Sequence, residues 1–269
     1  MRSLPIRGSE IYFADRGAGV PLVLVHGFPL DHAVWAGQLE GLSNTNGCRM
    51  IAPDLPGFGR SPAIDDPATM AQFADDLAAL LDGLGIAEPV ILCGLSMGGY
   101  IAFEFWRRHR SRLRGLVLCD TRAAADSAEV AEARRQTADR VLREGPRLLA
   151  DAMLPRLFSE ATQQQRPTLI EAVRAAIVNN NARGVAAAAR GMAQRADMTG
   201  ELPRIDCPTL VVVGRNDMIS TPDEMRGIAQ AMPNAAFVEI PFAGHMSPLE
   251  NPDDVNAAIR AFLTRLRKP

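Results

Sequence analysis

Six short runs along the chain are apolar almost throughout: residues 20–27 (VPLVLVHG), 49–54 (RMIAPD), 89–94 (PVILCG), 115–120 (GLVLCD), 209–214 (TLVVVG) and 236–241 (AFVEIP). A strand with one wet face alternates apolar and polar positions. These runs do not, so they predict strands covered on both faces, as in a parallel sheet. Helix patterns lie between them. Within 67–84, Met70, Phe73, Leu77, Leu80, Leu81 and Leu84 recur at spacings of three and four and form one buried stripe. Thr221-Pro222 and Asn251-Pro252 each place a capping side chain before a proline and mark two later helix starts. Residues 6–17 (IRGSEIYFADRG) read as an antiparallel pair at one edge. Strands alternating with helices predict an α/β fold with a mostly parallel, doubly wound sheet.

The alternation fails between 124 and 203. That stretch has no strand run, only helix-like segments rich in Ala, Arg and Gln, broken at Gly145-Pro146, Pro155, Pro167, 179–184 (NNNARG) and Pro203. Its apolar positions, among them Leu148, Leu149, Met153, Leu154, Leu157 and Phe158, then Leu169, Ile170, Val173 and Ile177, exceed what a solvated linker needs. The reading is an α/β core of residues 1–123 and 204–269, with residues 124–203 as an inserted helical lid (cap) over the sheet's carboxyl edge.

Charge narrows the partners. With 29 basic and 31 acidic residues the net charge is -2, and no basic stripe is present to collect phosphates, which argues against nucleic acid and anionic membranes. No run approaches the roughly 18 to 20 apolar residues of a membrane span, and the N-terminal residues lack a secretory apolar core, so a cytoplasmic protein is expected. The 4 cysteines, Cys48, Cys93, Cys119 and Cys207, lie in or beside strand-like runs without metal-ligand spacing; reduced, packed thiols and no metal are expected. Residues 57–59 (GFG) have no third glycine and open no helix, so they are not a dinucleotide fingerprint. No cofactor is implied.

Residues 94–99 (GLSMGG) set one serine among three glycines, after a strand run and before the helix pattern YIAFEFWRRH. This is the strand-turn-helix setting of a nucleophile elbow. A Cβ on Gly94 or Gly98 would meet neighbouring backbone in so sharp a turn, and Ser96 would sit in strained backbone. A serine hydroxyl needs a base. Of the 4 histidines, His26 follows the first long strand run, His32 opens a helix pattern and His109 lies among arginines; His245, in AGHMSPLEN after the last strand run, comes late enough to return to the elbow. Asp217, in GRNDMIS, falls between serine and histidine in chain order and fits the acid. Asp120, at the end of GLVLCD, is the alternative acid.

The motifs HGFPL (26–30), DLPGFGRS (54–61), GLSMGG (94–99), GRND (214–217) and GHMSPLENP (244–252) together resemble the α/β-hydrolase family over the whole chain. Within it the chain is most similar to the 3-oxoadipate enol-lactonase-like and small carboxylesterase branch, through GLSMGGY and LVLCDTRAAADS. The resemblance implies a triad of Ser96, Asp217 and His245, with the backbone amides of Phe28 and Met97 as oxyanion hole. Pro29, Leu30, Trp35, Met153, Leu157, Phe158, Met218 and Met246 are expected to line the substrate pocket, and His32 is a further candidate. With no cluster of pocket cations evident, that pocket is expected to be apolar. The implied reaction is hydrolysis of a small-molecule carboxylic ester or lactone through an acyl-enzyme. A cofactor-free haloperoxidase or perhydrolase and a carbon-carbon bond hydrolase are alternatives, as is a receptor on the hydrolase fold; the Asp nucleophile of epoxide hydrolases and haloalkane dehalogenases is replaced here by Ser96.

Overall fold

The computed structural model describes residues 1–43, 47–63 and 66–267. The apolar runs line up as one eight-stranded sheet: β1 (Arg2–Ile6), β2 (Ser9–Gly17), β3 (Val20–Val25), β4 (Cys48–Pro53), β5 (Val90–Leu95), β6 (Leu113–Cys119), β7 (Thr209–Gly214) and β8 (Ala235–Ile240). Across the sheet the order is β1-β2-β4-β3-β5-β6-β7-β8. The β1–β2 and β2–β4 pairs are antiparallel, and the remaining pairs are parallel. Every residue of β5 and β7 is buried, as strands covered on both faces require. In β2 only Ile11 and Phe13 are buried, the alternation of a sheet edge with one wet face.

The helices are α1 (Ala36–Ser43), α2 (Met70–Gly83), α3 (Met97–His109), α4 (Ala128–Glu144), α5 (Arg147–Leu157), α6 (Glu160–Gln165), α7 (Pro167–Asn179), α8 (Ala182–Met192), α9 (Pro222–Ala231), α10 (Ser247–Glu250) and α11 (Pro252–Arg267). Helix α2 starts on a capping box in which the Thr69 side chain and Gln72 satisfy each other's backbone amides, and it buries Phe73, Leu77, Leu80 and Leu81. Thr221 caps α9 through the Glu224 amide, with Pro222 in the first turn. Helix α1 packs on α11 and α2 on α3, flanking the sheet. The outcome is the α/β-hydrolase fold with a mostly parallel, doubly wound sheet.

Helices α4 to α8 come between β6 and β7, where α4 packs on α8 and α5 on α7. Leu149, Leu154, Leu157, Val173, Ile177 and Val185 of these helices belong to the same apolar cluster as the sheet. Among the described residues no helix is long and apolar enough to cross a membrane. The cysteines are free; Cys93 and Cys119 are buried on adjacent strands with sulfurs 4.0 Å apart.

From β3 the chain crosses to β4 on one side and then to β5 on the other. This reversal splits the loops that leave the carboxyl ends of β3 and β5 and opens a crevice between them, where open α/β sheets place their ligands.

Candidate active site

Ser96 occupies this crevice. It joins β5 to α3 with φ of +52°, a left-handed conformation that costs a non-glycine residue about 1 to 3 kcal/mol. Its neighbours explain how the turn is held. A Cβ on Gly94 would lie 2.2 Å from the Gly98 carbonyl oxygen, and one on Gly98 would lie 2.2 Å from that of Val25. The Ser96 amide donates to the Cys119 carbonyl at 2.9 Å, and Thr121 Oγ1 donates to the Ser96 carbonyl at 2.7 Å.

Two further loops meet the elbow. The loop after β7 carries Asp217, whose Oδ1 accepts the amides of Ile219 (2.7 Å) and Ser220 (3.0 Å). The loop after β8 carries His245, with Nδ1 2.8 Å from Asp217 Oδ2 and Nε2 2.9 Å from Ser96 Oγ. A carboxylate accepts, so Nδ1 carries the imidazole proton and Nε2 presents its lone pair to the serine hydroxyl. His245 and Asp217 are buried, while Ser96 keeps partial exposure. Asp120, the alternative acid, is engaged elsewhere: its carboxyl group accepts the Gly214 amide at 2.8 Å and shares a 2.5 Å hydrogen bond with the Ser247 hydroxyl. The histidine bond goes to Asp217.

The loop after β3 lies beside the elbow, since a Cβ on Gly27 would stand 3.3 Å from that of Ser96. Buried His26 fixes this loop: Nδ1 donates to the Gly27 carbonyl (2.9 Å) and Nε2 accepts the Leu55 amide (3.0 Å). Burial holds its imidazole below the usual histidine range, which suits a neutral ring with one donor and one acceptor. Among the described residues the amides of Phe28 and Met97 have no backbone acceptor, and Met97 opens α3, so its N–H is one of the helix's unsatisfied donors.

A cleft of about 340 Å³ opens onto Phe28. Phe28, Leu149, Met153 and Ile219 supply apolar walls, and Arg134, Thr137 and Arg156 add polar groups from α4 and α5. Three expectations are corrected here. Met218 does not line the cleft but is 62% exposed, because the amides of Ile219 and Ser220 both fold back onto Asp217 Oδ1 and leave Met218 at the outside of the turn. Ile219 takes the inner position. The cleft is also not purely apolar, since Arg134 of α4 and Arg156 of α5 reach it. Met153 does line it. Pro29, Leu30, Trp35, Leu157, Phe158 and Met246 are buried in packing instead and do not line the cleft.

His32 faces Asp54 with Nδ1 2.6 Å from Oδ1, and this partner raises its pKa. With Asp31 these residues bring three metal-ligating groups within 4.8 Å of one another. Both oxygens of Asp54 are already engaged, Oδ1 by His32 and Oδ2 by the Arg60 amide, so the group is satisfied internally. His109 pairs with Asp75 away from the elbow.

Two buried side chains of the site are not singled out in the sequence, although Glu250 lies within GHMSPLENP and Asn180 within NNNARG. Asn180 donates to the Pro29 carbonyl (2.8 Å) and accepts the Gly59 amide (2.7 Å), tying the end of α7 to the loop after β3. Glu250 accepts the amides of Gly244 (2.7 Å) and Ser159 (2.8 Å), tying the end of α5 to the histidine loop.

Known proteins resemble the chain over nearly its whole length. An esterase from Thermogutta terrifontis, whose structure holds malate, is 48% identical, with all of both chains covered and a TM-score of 0.97. The enol-lactonase of Burkholderia xenovorans is 32% identical over 98% of this chain and 100% of its own, with a TM-score of 0.90. A haloalkane dehalogenase of Sphingobium indicum is 28% identical over 98% of this chain and 95% of its own. Residues 20–252 match the alpha/beta hydrolase fold family, and the chain belongs to that family.

Proposed function

We propose that the protein is a serine hydrolase that cleaves a carboxylic ester or lactone through an acyl-enzyme. The observation that carries this reading is the unbroken hydrogen-bond chain from Asp217 through His245 to Ser96 on a strained elbow. Ser96 Oγ bonds to the substrate carbonyl carbon as its proton passes to His245 Nε2. Asp217 holds the other ring nitrogen and stabilises the imidazolium. The amides of Met97 and Phe28 receive the oxyanion, each contributing about 3 to 4 kcal/mol at the transition state. Collapse breaks the carbon-oxygen bond to the leaving alcohol or enol, which takes the proton from Nε2. Water then repeats the cycle on the acyl-enzyme, releasing the acid and restoring Ser96. Residues 124–203 act as the lid over this site.

The arginines of the cleft refine the substrate. Arg134 is turned toward Asp126, at 2.6 Å, whereas Arg156 has no hydrogen bond or ion pair among the described residues. An unpaired guanidinium on the rim favours a substrate with a free carboxylate beside the reacting ester, and malate bound by the Thermogutta terrifontis esterase agrees with this. The test is hydrolysis of p-nitrophenyl esters from acetate to decanoate, of lactones, and of half-esters of dicarboxylic acids, by the wild type and Ser96→Ala. Multiple turnover that disappears in Ser96→Ala, with half-esters preferred over neutral esters of equal length, is expected. Full activity in Ser96→Ala would overturn the reading.

A further inference from the structure

Asp120 directly follows β6 beside the elbow, and its backbone, like that of Ser96, has a positive φ, here +46°. Its side chain is fully buried and makes no bond to the histidine. Instead it reaches the loops that bring the acid and the base. Oδ1 accepts the amide of Gly214, the last residue of β7 before the Asp217 loop, at 2.8 Å. Oδ2 lies 2.5 Å from the hydroxyl of Ser247, two residues beyond His245. The Asp120 carbonyl accepts the Ser220 hydroxyl at 3.2 Å, in the same loop as Asp217. The next residue, Thr121, holds the third loop through its bond to the Ser96 carbonyl. Strain is retained where surrounding structure over-determines it, and here three loops do so.

We infer that Asp120 is a positioning residue that joins the Asp217 loop and the His245 loop to the Ser96 elbow and acts as a neutral acid, not as a second carboxylate of the triad. Burial, with the charge of Asp217 and the Cys119 thiol nearby, pushes its carboxyl well above the usual carboxylate range, in keeping with a retained proton. A protonated carboxyl still accepts the Gly214 amide through one oxygen and donates from the other to Ser247. One negative charge is thereby left beside the imidazole, on the oxygen of Asp217 that faces it.

The inference rests on the proposed triad, and the experiment separates the two. Asp120→Asn, Asp120→Ala and Ser247→Ala are compared with wild type and Ser96→Ala for kcat, KM, the pH profile, thermal melting and the rate at which a fluorophosphonate labels Ser96. Asn offers the same acceptor and donor, so Asp120→Asn should keep the wild-type kcat and pH profile. Asp120→Ala should lose kcat by about 10- to 100-fold through misplacement of the reacting groups, with KM unchanged and labelling slowed in parallel. Ser247→Ala cuts only the link to the histidine loop, and should slow kcat and labelling even if Asp120→Ala does not fold. Wild-type kcat and labelling in Ser247→Ala or in folded Asp120→Ala would overturn the inference. So would a loss in Asp120→Asn with a shifted pH profile, which would assign the work to a charged carboxylate. Activity or labelling that survives in Ser96→Ala would instead remove the triad itself.

Discussion

Asp217 uses its two oxygens for different tasks. Oδ1 is held by the Ile219 and Ser220 amides, and Oδ2 faces His245 Nδ1. In Asp217→Asn the two amides require the carbonyl at the first position, which leaves the NH₂ group facing the imidazole. Two donors cannot share that contact, so the ring proton moves to Nε2 and the acceptor for the Ser96 proton is lost. The expected kcat loss is about 10⁴-fold with little change in melting temperature, and steady-state kinetics beside a melting curve check it. A kcat near the wild-type value would show that the tautomer is not set by this residue. At this scale the sequence was informative where chemistry is rare. Glycine crowding singled out Ser96, and late position singled out His245. It left Asp217 and Asp120 open because both follow strand ends, and the side-chain bonding that separates them depends on how three loops fold together. The exchange of Met218 for Ile219 has the same origin: two amides converging on one oxygen decide which neighbour turns inward, and both side chains are apolar.

The element that joins the proposed lid to the sheet is α8. It is buried on all sides from Gly184 to Ala189, and its run of small residues lets the helix backbone approach the loop that follows β4. A Cβ on Gly184 would lie 2.3 Å from the Gly57 carbonyl oxygen and 2.4 Å from its Cα, and Gly57 itself has φ of +88°. The Ala68 amide donates to the Ala187 carbonyl at 3.1 Å in the same contact. Gly184→Ala therefore forces α8 outward, and overpacking of this kind costs about 1 to 3 kcal/mol. Because Ala189 of α8 lines the cleft, the variant should melt lower and bind substrate with a raised KM, while kcat changes less. Unchanged melting and KM would show that α8 adjusts freely. The strands and the capped helices were readable because apolar period and capping residues are local signals. The docking of α8 was not, since contact between two glycine backbones leaves no apolar period, and the residues 57–59 that resemble a nucleotide motif serve this close approach instead.

At the scale of the whole molecule, the net charge of -2 conceals a buried and a partly buried group that titrate against folding in opposite directions. Buried His26 has a lowered pKa, so its contribution is present above the ordinary histidine value of 6.5 and is lost as pH falls. Asp76 on α2 works the other way. Burial pushes its carboxyl from 3.8 up to about 6, with the nearby charge of Asp75 adding to the rise and Arg7 opposing it. A raised folded value means that its contribution is complete below 3.8 and is lost as pH rises through about 6. Asp76→Asn removes that titration. It also removes the contact with Arg7 at 3.1 Å, but that arginine is 52% exposed, so the ion pair adds little. The melting temperature of Asp76→Asn relative to wild type should therefore climb between about pH 4 and pH 6 and then stay level to about pH 8. Calorimetry of both proteins across that range measures it, and a difference independent of pH would show that Asp76 ionises in the folded protein as freely as in the unfolded chain. The prediction depends on no substrate and no catalytic residue, because the penalty arises where α2 packs beneath the turn between β1 and β2, apart from the elbow.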